Sequence, residues 1–578
     1  MTSTPMDTAR LGVATRSASR SRAVDLQATG EPNLWALGGA LAFGCVMIVG
    51  FLLLVLWNGV TTFWPKPIVV VTQADGSKVA GEAFRSEAYR PGPEVLATLD
   101  EAIRRKIAAN GGFADRTLFR IGNYDLYNED FRWVPDYAVA GTATPSGMVF
   151  VERLEWGPFV GTIKSVAIGD REMPALAADP ATLAAHHGAA RARWRDIRHI
   201  ERNQIGAINH QLDGERLALR RVALRDGEAS PAYAAARERF AAREQALQAD
   251  YARLAAAAQA LKTEDAKDRI TLAEIGGKEK TIPLSAVVRM YPANDLSFGQ
   301  TLGVYASRWW EFVSDEPREA NTEGGVLPAI FGTFVMTLLL VVVVAPFGVV
   351  TALYLREYAR QGRLVSIVRI SVNNLAGVPS IVYGVFGLGF FAYILGGSID
   401  GLFFPERLPN PTFGTGGILW ASLTLALLTV PVVIVATEEA LSAVPRSMRE
   451  GSLACGASKW QTIRNIVLPR AMPGIMTGVI LAMARGAGEV APLMLVGVVK
   501  LAPELPLDGY FPFFHLERSF MHLGFHIFDV GFQSRNSEAG KPMVFVTTLL
   551  LIGLIFLMNI SAIVIRNRLK RKFAGSQF

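Results

Sequence analysis

The sequence predicts an all-α polytopic membrane protein that carries an α+β domain inserted after its first membrane span. Hydrophobic residues make up 51% of the 578 residues and charged residues only 19%, which is below the roughly 25% charged residues of soluble domains. The apolar residues are also concentrated in six runs of about the length that a helix needs to cross a bilayer. A long polar segment separates the first run from the other five.

The amino-terminal segment, residues 1–33, is rich in Ser, Thr and Arg and has no apolar periodicity. This composition predicts a disordered cytoplasmic tail. Residues 34–57 form a continuous apolar run, which we interpret as the first transmembrane helix. A cleaved signal peptide is the alternative, but the run is long and lacks a convincing small-residue cleavage site.

Residues 58–325 have the character of a water-exposed domain. Short strand-like runs lie near both ends of this segment, and Asp75-Gly76 is typical of a hairpin turn. Between residues 180 and 262 the composition shifts to Ala, Arg, Glu and Gln, with apolar residues at three-to-four-residue spacing. The pair Ser230-Pro231 is typical of a helix start. The segment therefore predicts an antiparallel helical hairpin that resembles a coiled coil.

Residues 326–565 contain the remaining five predicted spans. These runs are Leu327–Tyr354, Ala376–Leu395, Ile418–Ala436, Ile475–Val499 and Val544–Ile565. Basic residues are concentrated after the second, fourth and sixth runs, and residues 566–578 form a basic tail. By the positive-inside rule, both termini are predicted to be cytoplasmic and residues 58–325 to lie outside the cytoplasm.

Composition and motifs exclude several classes of function. The net charge of +7 is modest, and the basic residues lie beside apolar spans, so no nucleic-acid partner is predicted. Two cysteines cannot supply a disulfide framework. No GxxxxGK[ST] sequence and no catalytic motif is present. The sequence therefore predicts no catalytic residue and no cofactor bound by this chain, and any ATP would be used by another subunit.

The loop at residues 437–473 contains the most informative polar stretch, Glu450 to Pro469. Gly456 is placed to end one helix in a left-handed conformation. Ser458 and Gln461 match a capping box for a second helix, and Pro469 is expected to end or kink that helix. The stretch predicts two short helices joined by a turn.

The same stretch resembles the EAA signature of ABC-importer permeases. The matched positions are Glu450, Gly456, Ile466, Leu468 and Pro469, while Gly451 and Ser452 replace the two alanines of the signature. The resemblance implies that this loop is the coupling segment that docks on an ATPase subunit. An ordinary helix–turn–helix loop between two spans is the alternative.

Two further stretches resemble the phosphate-importer permeases of the PstA and PstC type, and the order of parts is closer to PstA. They run from Asn374 to Gly384 and from Arg485 to Leu493. Residues 58–325 depart from the short PstA pattern and look like the extended region of a long PstA form. The resemblance implies the type I ABC importer permease fold in a bacterial inner membrane, with residues 58–325 in the periplasm.

The resemblance also implies partners and a substrate. They are a PstC-type permease subunit, a PstB-type ATPase dimer that uses ATP, a PstS-type phosphate-binding protein and membrane lipid, with inorganic phosphate as the transported ion. A permease for molybdate or sulfate is one alternative. A membrane sensor with the helical hairpin as its input is another, but that interpretation requires a cytoplasmic output domain, and only residues 566–578 follow the last run.

Arg485, Glu489, Asn374, Pro379 and Ser380 are the candidate pathway residues. Arg485 is predicted near the middle of its span, where a charge usually marks a pathway or a buried partner. Its planar guanidinium suits phosphate oxygens, and Glu489 follows one helical turn later. A structural ion pair is the alternative. Pro379 is expected to interrupt the third span.

His522 and His526 lie one helical turn apart but have no third ligand at suitable spacing. We therefore predict no metal site, and we interpret these residues as ordinary surface or interface histidines.

Overall fold

The computed structural model describes residues 32–174, 180–502, 504–534 and 537–574. The predicted amino-terminal tail therefore lies almost wholly outside the described residues. The chain divides into two units, Met1–Val55 and Leu56–Phe578. In the first unit the described residues belong to helix α1, Pro32–Thr61, and the second unit contains the remaining elements.

Six helices of the described residues are long and apolar enough to cross a membrane. They are Trp35–Thr61, Leu327–Tyr358, Ser380–Phe403, Ile418–Ser442, Lys459–Gly488 and Ser537–Arg568. The prediction of an all-α polytopic protein with an inserted α+β domain is confirmed. All six spans are longer than the predicted runs. Three differ most: the third begins at Ser380 rather than Ala376, the fifth occupies Lys459–Gly488 rather than Ile475–Val499, and the sixth begins at Ser537 rather than Val544.

The inserted domain is built on two antiparallel sheets. The first sheet has the order β4-β3-β2-β1-β5, with β1 Ile68–Gln73, β2 Lys78–Tyr89, β3 Ala114–Arg120, β4 Phe131–Pro135 and β5 Val139–Ala143. Short helices lie between its strands in the chain: α2 Pro93–Thr98 and α3 Glu101–Ala109 follow β2, and α4 Tyr124–Tyr127 follows β3. The predicted turn at Asp75-Gly76 is confirmed: it joins β1 to β2, and Gly76 has a φ of +83°.

The second sheet has the order β10-β9-β7-β6-β11, with β8 paired to β7. Its strands are β6 Val149–Arg153, β7 Phe159–Ile168, β8 Arg171–Pro174, β9 Arg269–Ala273, β10 Glu279–Pro283 and β11 Val287–Pro292. Apolar residues of β1, including the fully buried Ile68, pack against Phe150 of β6 and Val160 of β7. This shared core joins the two sheets.

The helical hairpin is inserted between β8 and β9. It comprises α5 Pro180–Arg198, a π-helical segment His199–Gln204, α6 Ile205–Asp226 and α7 Pro231–Asp265. The predicted start of α7 is confirmed, because the Ser230 side chain accepts a hydrogen bond from the Tyr233 backbone N–H. Gly227, at a φ of +82°, ends α6. The left-handed glycine and the cap together reverse the chain.

The domain leads into the remaining spans through α8 Phe298–Ser314 and the short pair β12 Pro317–Arg318 and β13 Glu323–Gly324. The helices that follow are α9 Leu327–Leu353, α10 Arg363–Leu375, α11 Ser380–Phe386, α12 Gly397–Phe403, α13 Ile418–Ser442, α14 Arg446–Ala454, α15 Lys459–Thr462, α16 Leu468–Gly488, α17 Leu493–Val496, α18 Leu523–Phe528 and α19 Ser537–Ala574. Helix α13 is central, and its buried residues Leu425 and Leu428 pack with Met336 and Leu340 of α9.

Candidate functional site

The turn between α14 and α15 is formed by hydrogen bonds that close on Gly456. Its φ of +83° lies in the left-handed region. The Gly456 N–H donates to the Leu453 carbonyl at 3.0 Å, and the Ala457 N–H donates to the Ser452 carbonyl at 3.2 Å. No atom lies within 4 Å of the position that a β-carbon on Gly456 would occupy. Glycine is therefore required by the backbone torsion and not by crowding.

The second helix of the loop begins as predicted and then continues further than predicted. The Ser458 hydroxyl accepts from the Gln461 N–H at 3.3 Å, and the Gln461 side-chain oxygen accepts from the Ser458 N–H at 2.8 Å. The helix does not end at Pro469, because a π-helical segment, Ile463–Val467, passes directly into α16. Pro469 stands at the second position of α16, and the widened turn before it accommodates the proline ring.

Some residues of the EAA-like signature lie in the exposed turn at Gly456, and the others lie in a half-buried segment at residues 466–469. Glu450 and Gly456 are exposed, whereas Ile466, Leu468 and Pro469 are half-buried. This half-buried segment packs on a hydrophobic cluster formed by α13, α16 and the loop between them. The cluster includes Leu441, Val444, Val467, Ala471 and Ile475. The exposed turn also carries two apolar side chains, Leu453 at 50% and Trp460 at 53% exposure.

The stretch beginning at Asn374 is interrupted as the sequence predicts. Helix α10 ends at Leu375 and α11 begins at Ser380, with Pro379 in extended conformation as its N-cap. Asn374 consequently lies in the last turn of α10, outside the third span. The Tyr383 hydroxyl donates to the Leu375 carbonyl at 2.6 Å, so a carbonyl freed by the break is satisfied within the chain.

Arg485 does not lie near the middle of its span, and that prediction is wrong. It belongs to the last turn of α16, which ends at Gly488, and Glu489 is the C-cap in extended conformation. A cation at this position interacts favourably with the helix dipole. Arg485 Nε and Glu489 Oε1 are 3.6 Å apart, with the side chains 37% and 23% exposed. The pair is therefore an ion pair without a close hydrogen bond.

The two PstA-like stretches come together, although about 110 positions separate them in the sequence. A β-carbon on Gly384 would lie 2.7 Å from Cα of Pro492, so α11 packs against the chain just after Glu489. The break before α11 and the end of α16 therefore form one site.

The carboxy-terminal part of the chain matches a known family. Residues 345–571 match the family described as "Binding-protein-dependent transport system inner membrane component". This part of the chain is similar to the permease domains of that family, and residues 326–565 are called the permease domain below. The resemblance to PstA is confirmed over the same part: the chain is 40% identical over 195 residues to "Phosphate transport system permease protein PstA 1" of Mycobacterium tuberculosis (strain H37Rv), covering 34% of this chain and 58% of that protein.

Two further similarities extend this comparison. "Probable ABC transporter permease protein YqgH" of Bacillus subtilis (strain 168) is 35% identical over 195 residues, which is 33% of this chain and 59% of that protein. A solved structure of the MetNI methionine ABC transporter in an inward-facing conformation is 20% identical, covering 47% of this chain and 99% of that chain, at a TM-score of 0.30. The chain spans less than two thirds of the length of both sequence relatives.

Arg449 fixes the loop before the turn at Gly456 to its neighbours, a role that the sequence pattern did not indicate. Its guanidinium donates to the carbonyls of Val444 and Leu441, both at 2.7 Å, and to Glu357 Oε1 at 3.0 Å. It therefore caps the carboxyl end of α13 and joins it to the end of the second span. A basic residue just beyond a helix end was the available signal, but its partner Glu357 is distant in sequence.

The prediction that His522 and His526 are surface or interface residues is wrong. Their exposed fractions are 0% and 2%, and burial lowers the pKa of each to about 4. The segment that carries them folds between spans: the Leu523 N–H donates to Thr333 Oγ1 of α9 at 2.9 Å. Within the described ranges, no group of three His, Cys, Asp or Glu side chains could hold a metal ion.

Proposed function

We propose that this chain is the permease subunit of an ATP-driven importer of inorganic phosphate. It would form the translocation pathway with a PstC-type permease subunit, receive phosphate from a PstS-type binding protein and be driven by a PstB-type ATPase dimer. In this proposal the protein lies in a bacterial inner membrane with both termini in the cytoplasm and residues 58–325 in the periplasm. The similarity of the permease domain to PstA proteins supports phosphate over other oxyanions.

One observation carries the coupling part of this proposal. The exposed turn at Gly456 and the Arg485–Glu489 pair lie at opposite ends of a single helical stretch, Lys459–Gly488, of 30 residues. A helix of that length spans about 45 Å. A movement imposed at Trp460 would reach Arg485 along one continuous element.

The two ends of this stretch suit different tasks. The exposed Leu453 and Trp460 offer apolar contacts to a cytoplasmic ATPase, and Arg449 keeps the turn fixed to α13 and the second span. At the other end, Arg485 presents a planar set of donors that matches two phosphate oxygens. Its partner, Glu489, is too distant to occupy those donors fully. An anion could therefore bind Arg485 without first displacing a tight hydrogen bond.

The test is transport by the complete complex in proteoliposomes. The full chain is co-purified with the other permease and the ATPase, and binding protein and ATP are supplied. We expect phosphate to stimulate ATP hydrolysis and labelled phosphate to accumulate. Sulfate and molybdate, each with its own binding assay to the binding protein, serve as controls. Equal uptake of either anion would assign a broader oxyanion specificity, and an assembled complex that none of the three anions stimulates would contradict import of these ions.

A further inference from the structure

We propose that one face of α8 lies in the headgroup region of the membrane and seats the inserted domain on the bilayer surface. This role is separate from transport and does not depend on the identity of the transported ion.

The outer face of α8 is an apolar stripe. Phe298, Leu302, Ala306 and Trp310 follow one another at four-residue spacing, which places them along one side of the helix. All four are exposed, with Phe298 at 75% and Trp310 at 72%. The exposed residues between them are uncharged. A helix that faced water here would carry charged residues on this side.

The inner face of α8 carries its two charged residues. Arg308 Nε donates to Glu152 Oε1 at 2.6 Å, and Glu311 Oε2 accepts from Arg289 Nη2 at 2.9 Å. Phe312, fully buried, packs with Met521 of the permease domain. The helix therefore directs its ionic groups toward protein and its apolar groups outward, the reverse of the usual arrangement for a water-exposed helix.

The position of α8 relative to two span ends identifies lipid as the partner. The Tyr305 hydroxyl donates to the Val60 carbonyl at 2.9 Å, and the candidate first span ends at Thr61. The other end of α8 is joined to the start of the second span, since the Val326 N–H donates to the Phe312 carbonyl at 2.8 Å. Helix α8 therefore lies at the level where two spans leave the membrane.

The aromatic residues at this level agree with that assignment. The Trp64 ring lies 5.4 Å from that of Tyr305 and 6.4 Å from that of Phe298, so the stripe of α8 continues onto the end of the first span. Trp and Tyr side chains are enriched where spans cross the headgroup region, and an interfacial helix buries its apolar face at that depth.

Membrane seating of α8 would also position the sheets. Glu152 lies on β6 and Arg289 on β11, so the ionic contacts of the inner face join α8 to the second sheet. The sheets would then keep a fixed height above the bilayer.

The test measures the depth of α8 in the full-length protein. Cys45 and Cys455 are replaced by Ser, and a single nitroxide-labelled cysteine is placed at Ala306 or, as a second reporter, at Leu302. Leu224, 57% exposed on the hairpin helix α6, provides the matched control. In lipid nanodiscs we expect the ratio of oxygen access to access of a water-soluble nickel chelate to be severalfold higher at positions 302 and 306 than at 224.

Two results would overturn the proposal. Nickel access at 302 and 306 equal to that at 224 would show that the stripe faces water. Exclusion of both oxygen and nickel, with the label immobilised, would show that protein covers the stripe, whether a partner subunit or a second copy of this chain. Size-exclusion profiles matching the unlabelled protein are required for each variant, and the two reporters guard against failure of one of them.

Discussion

Arg485 at the end of α16 has two candidate roles that respond differently to conservative changes. If Arg485 only neutralises Glu489 and the helix dipole, lysine keeps the charge and supplies both interactions. If Arg485 binds phosphate oxygens through its planar fork, lysine offers only a point charge. We therefore expect Arg485→Lys to lower phosphate uptake by about tenfold or more, the effect of losing roughly 1.4 kcal/mol or more of binding, while the complex still assembles.

The double variant Arg485→Gln/Glu489→Gln tests whether the pair has only a structural role. Removing both charges leaves no unpaired charge behind, so a purely structural pair should tolerate it. We expect assembly to persist and uptake to be lost. Near-normal uptake by an assembled double variant would assign the pair to packing and not to the pathway.

Hydropathy alone could not reveal that Arg485 and Glu489 lie at the end of a helix. The apolar run continues from Val490 to Val499, past the end of α16, so its centre falls near Arg485 although the helix ends at Gly488. Gly474 and Gly478, by contrast, lie where two helices pack closely. A β-carbon on Gly474 or Gly478 would lie 2.5 Å from the Cβ of Ala440 or Ala436 of α13. Small residues at four-residue spacing indicate close helix packing from the nearby sequence alone. The end of a helix within an apolar run cannot be recognised in this way.

At the scale of elements, the turn between α14 and α15 offers a matched pair of substitutions. Gly451 and Gly456 are both exposed, and at neither residue does an atom lie within 4 Å of the position that a β-carbon would occupy. Gly451 lies within α14, where alanine is favoured over glycine by about 1 kcal/mol. Gly456 has a φ of +83°, where a β-carbon costs about 1–2 kcal/mol.

The same change to alanine should therefore be harmful at Gly456 and tolerated at Gly451. We expect Gly456→Ala to weaken co-purification of the ATPase or to uncouple ATP hydrolysis from uptake, with normal membrane insertion. Gly451→Ala should preserve both, and it also moves the sequence toward the EAA signature. Indistinguishable ATPase retention and coupling in the two variants would argue against a role for the left-handed turn in docking.

The elements that were predicted correctly are those specified by neighbouring residues. The caps at Ser230 and Ser458 depend on side chains three residues away, and the hairpin turn at Gly76 depends on one dipeptide. By contrast, the continuation of the helix through Pro469 depends on a π-helical segment, and the burial of His522 depends on contacts with α9. These features arise from tertiary packing, which periodicity does not report.

At the scale of the whole molecule, the helical hairpin is tied to loops of the permease domain. Arg221 of α6 donates to the carboxylate of Glu406, at 2.5 Å from Nη2 and 3.2 Å from Nε. Burial opposes ionisation of Glu406, but the hydrogen bonds and positive charge of Arg221, a backbone hydrogen bond and the nearby charge of Arg407 together outweigh it, so the pKa of Glu406 lies below its ordinary value. On the same helix, the His210 ring stacks on Tyr510 at 4.5 Å. The hairpin thus contacts the loop after the third span and the loop before the sixth.

The Arg221–Glu406 contact predicts that α6 and the loop at residues 400–410 each slow amide hydrogen exchange in the other. The side chain of Glu406 is 3% exposed and that of Arg221 is 66% exposed. Arg221→Ala would leave a buried carboxylate without its main hydrogen-bond donor, which is more costly than losing an exposed pair. We expect faster amide hydrogen exchange in residues 215–226 and 400–410 of the variant, measured by mass spectrometry on the full-length protein in nanodiscs. Arg225→Ala, on the same helix but paired with the adjacent Asp226, is the matched control and should leave residues 400–410 unchanged.

A double variant shows whether the effect comes from the stranded carboxylate or from loss of docking. Glu406→Gln added to Arg221→Ala removes the buried charge, so exchange in the loop at residues 400–410 should slow toward the wild-type rate. Exchange in α6 should recover less, because the bridge to the hairpin is still absent and only contacts such as His210–Tyr510 remain. Identical exchange for Arg221→Ala and Arg225→Ala would mean that the hairpin does not depend on Glu406. If the predicted pattern is found, movement of the loop after the third span during transport must either carry the hairpin along or break this contact.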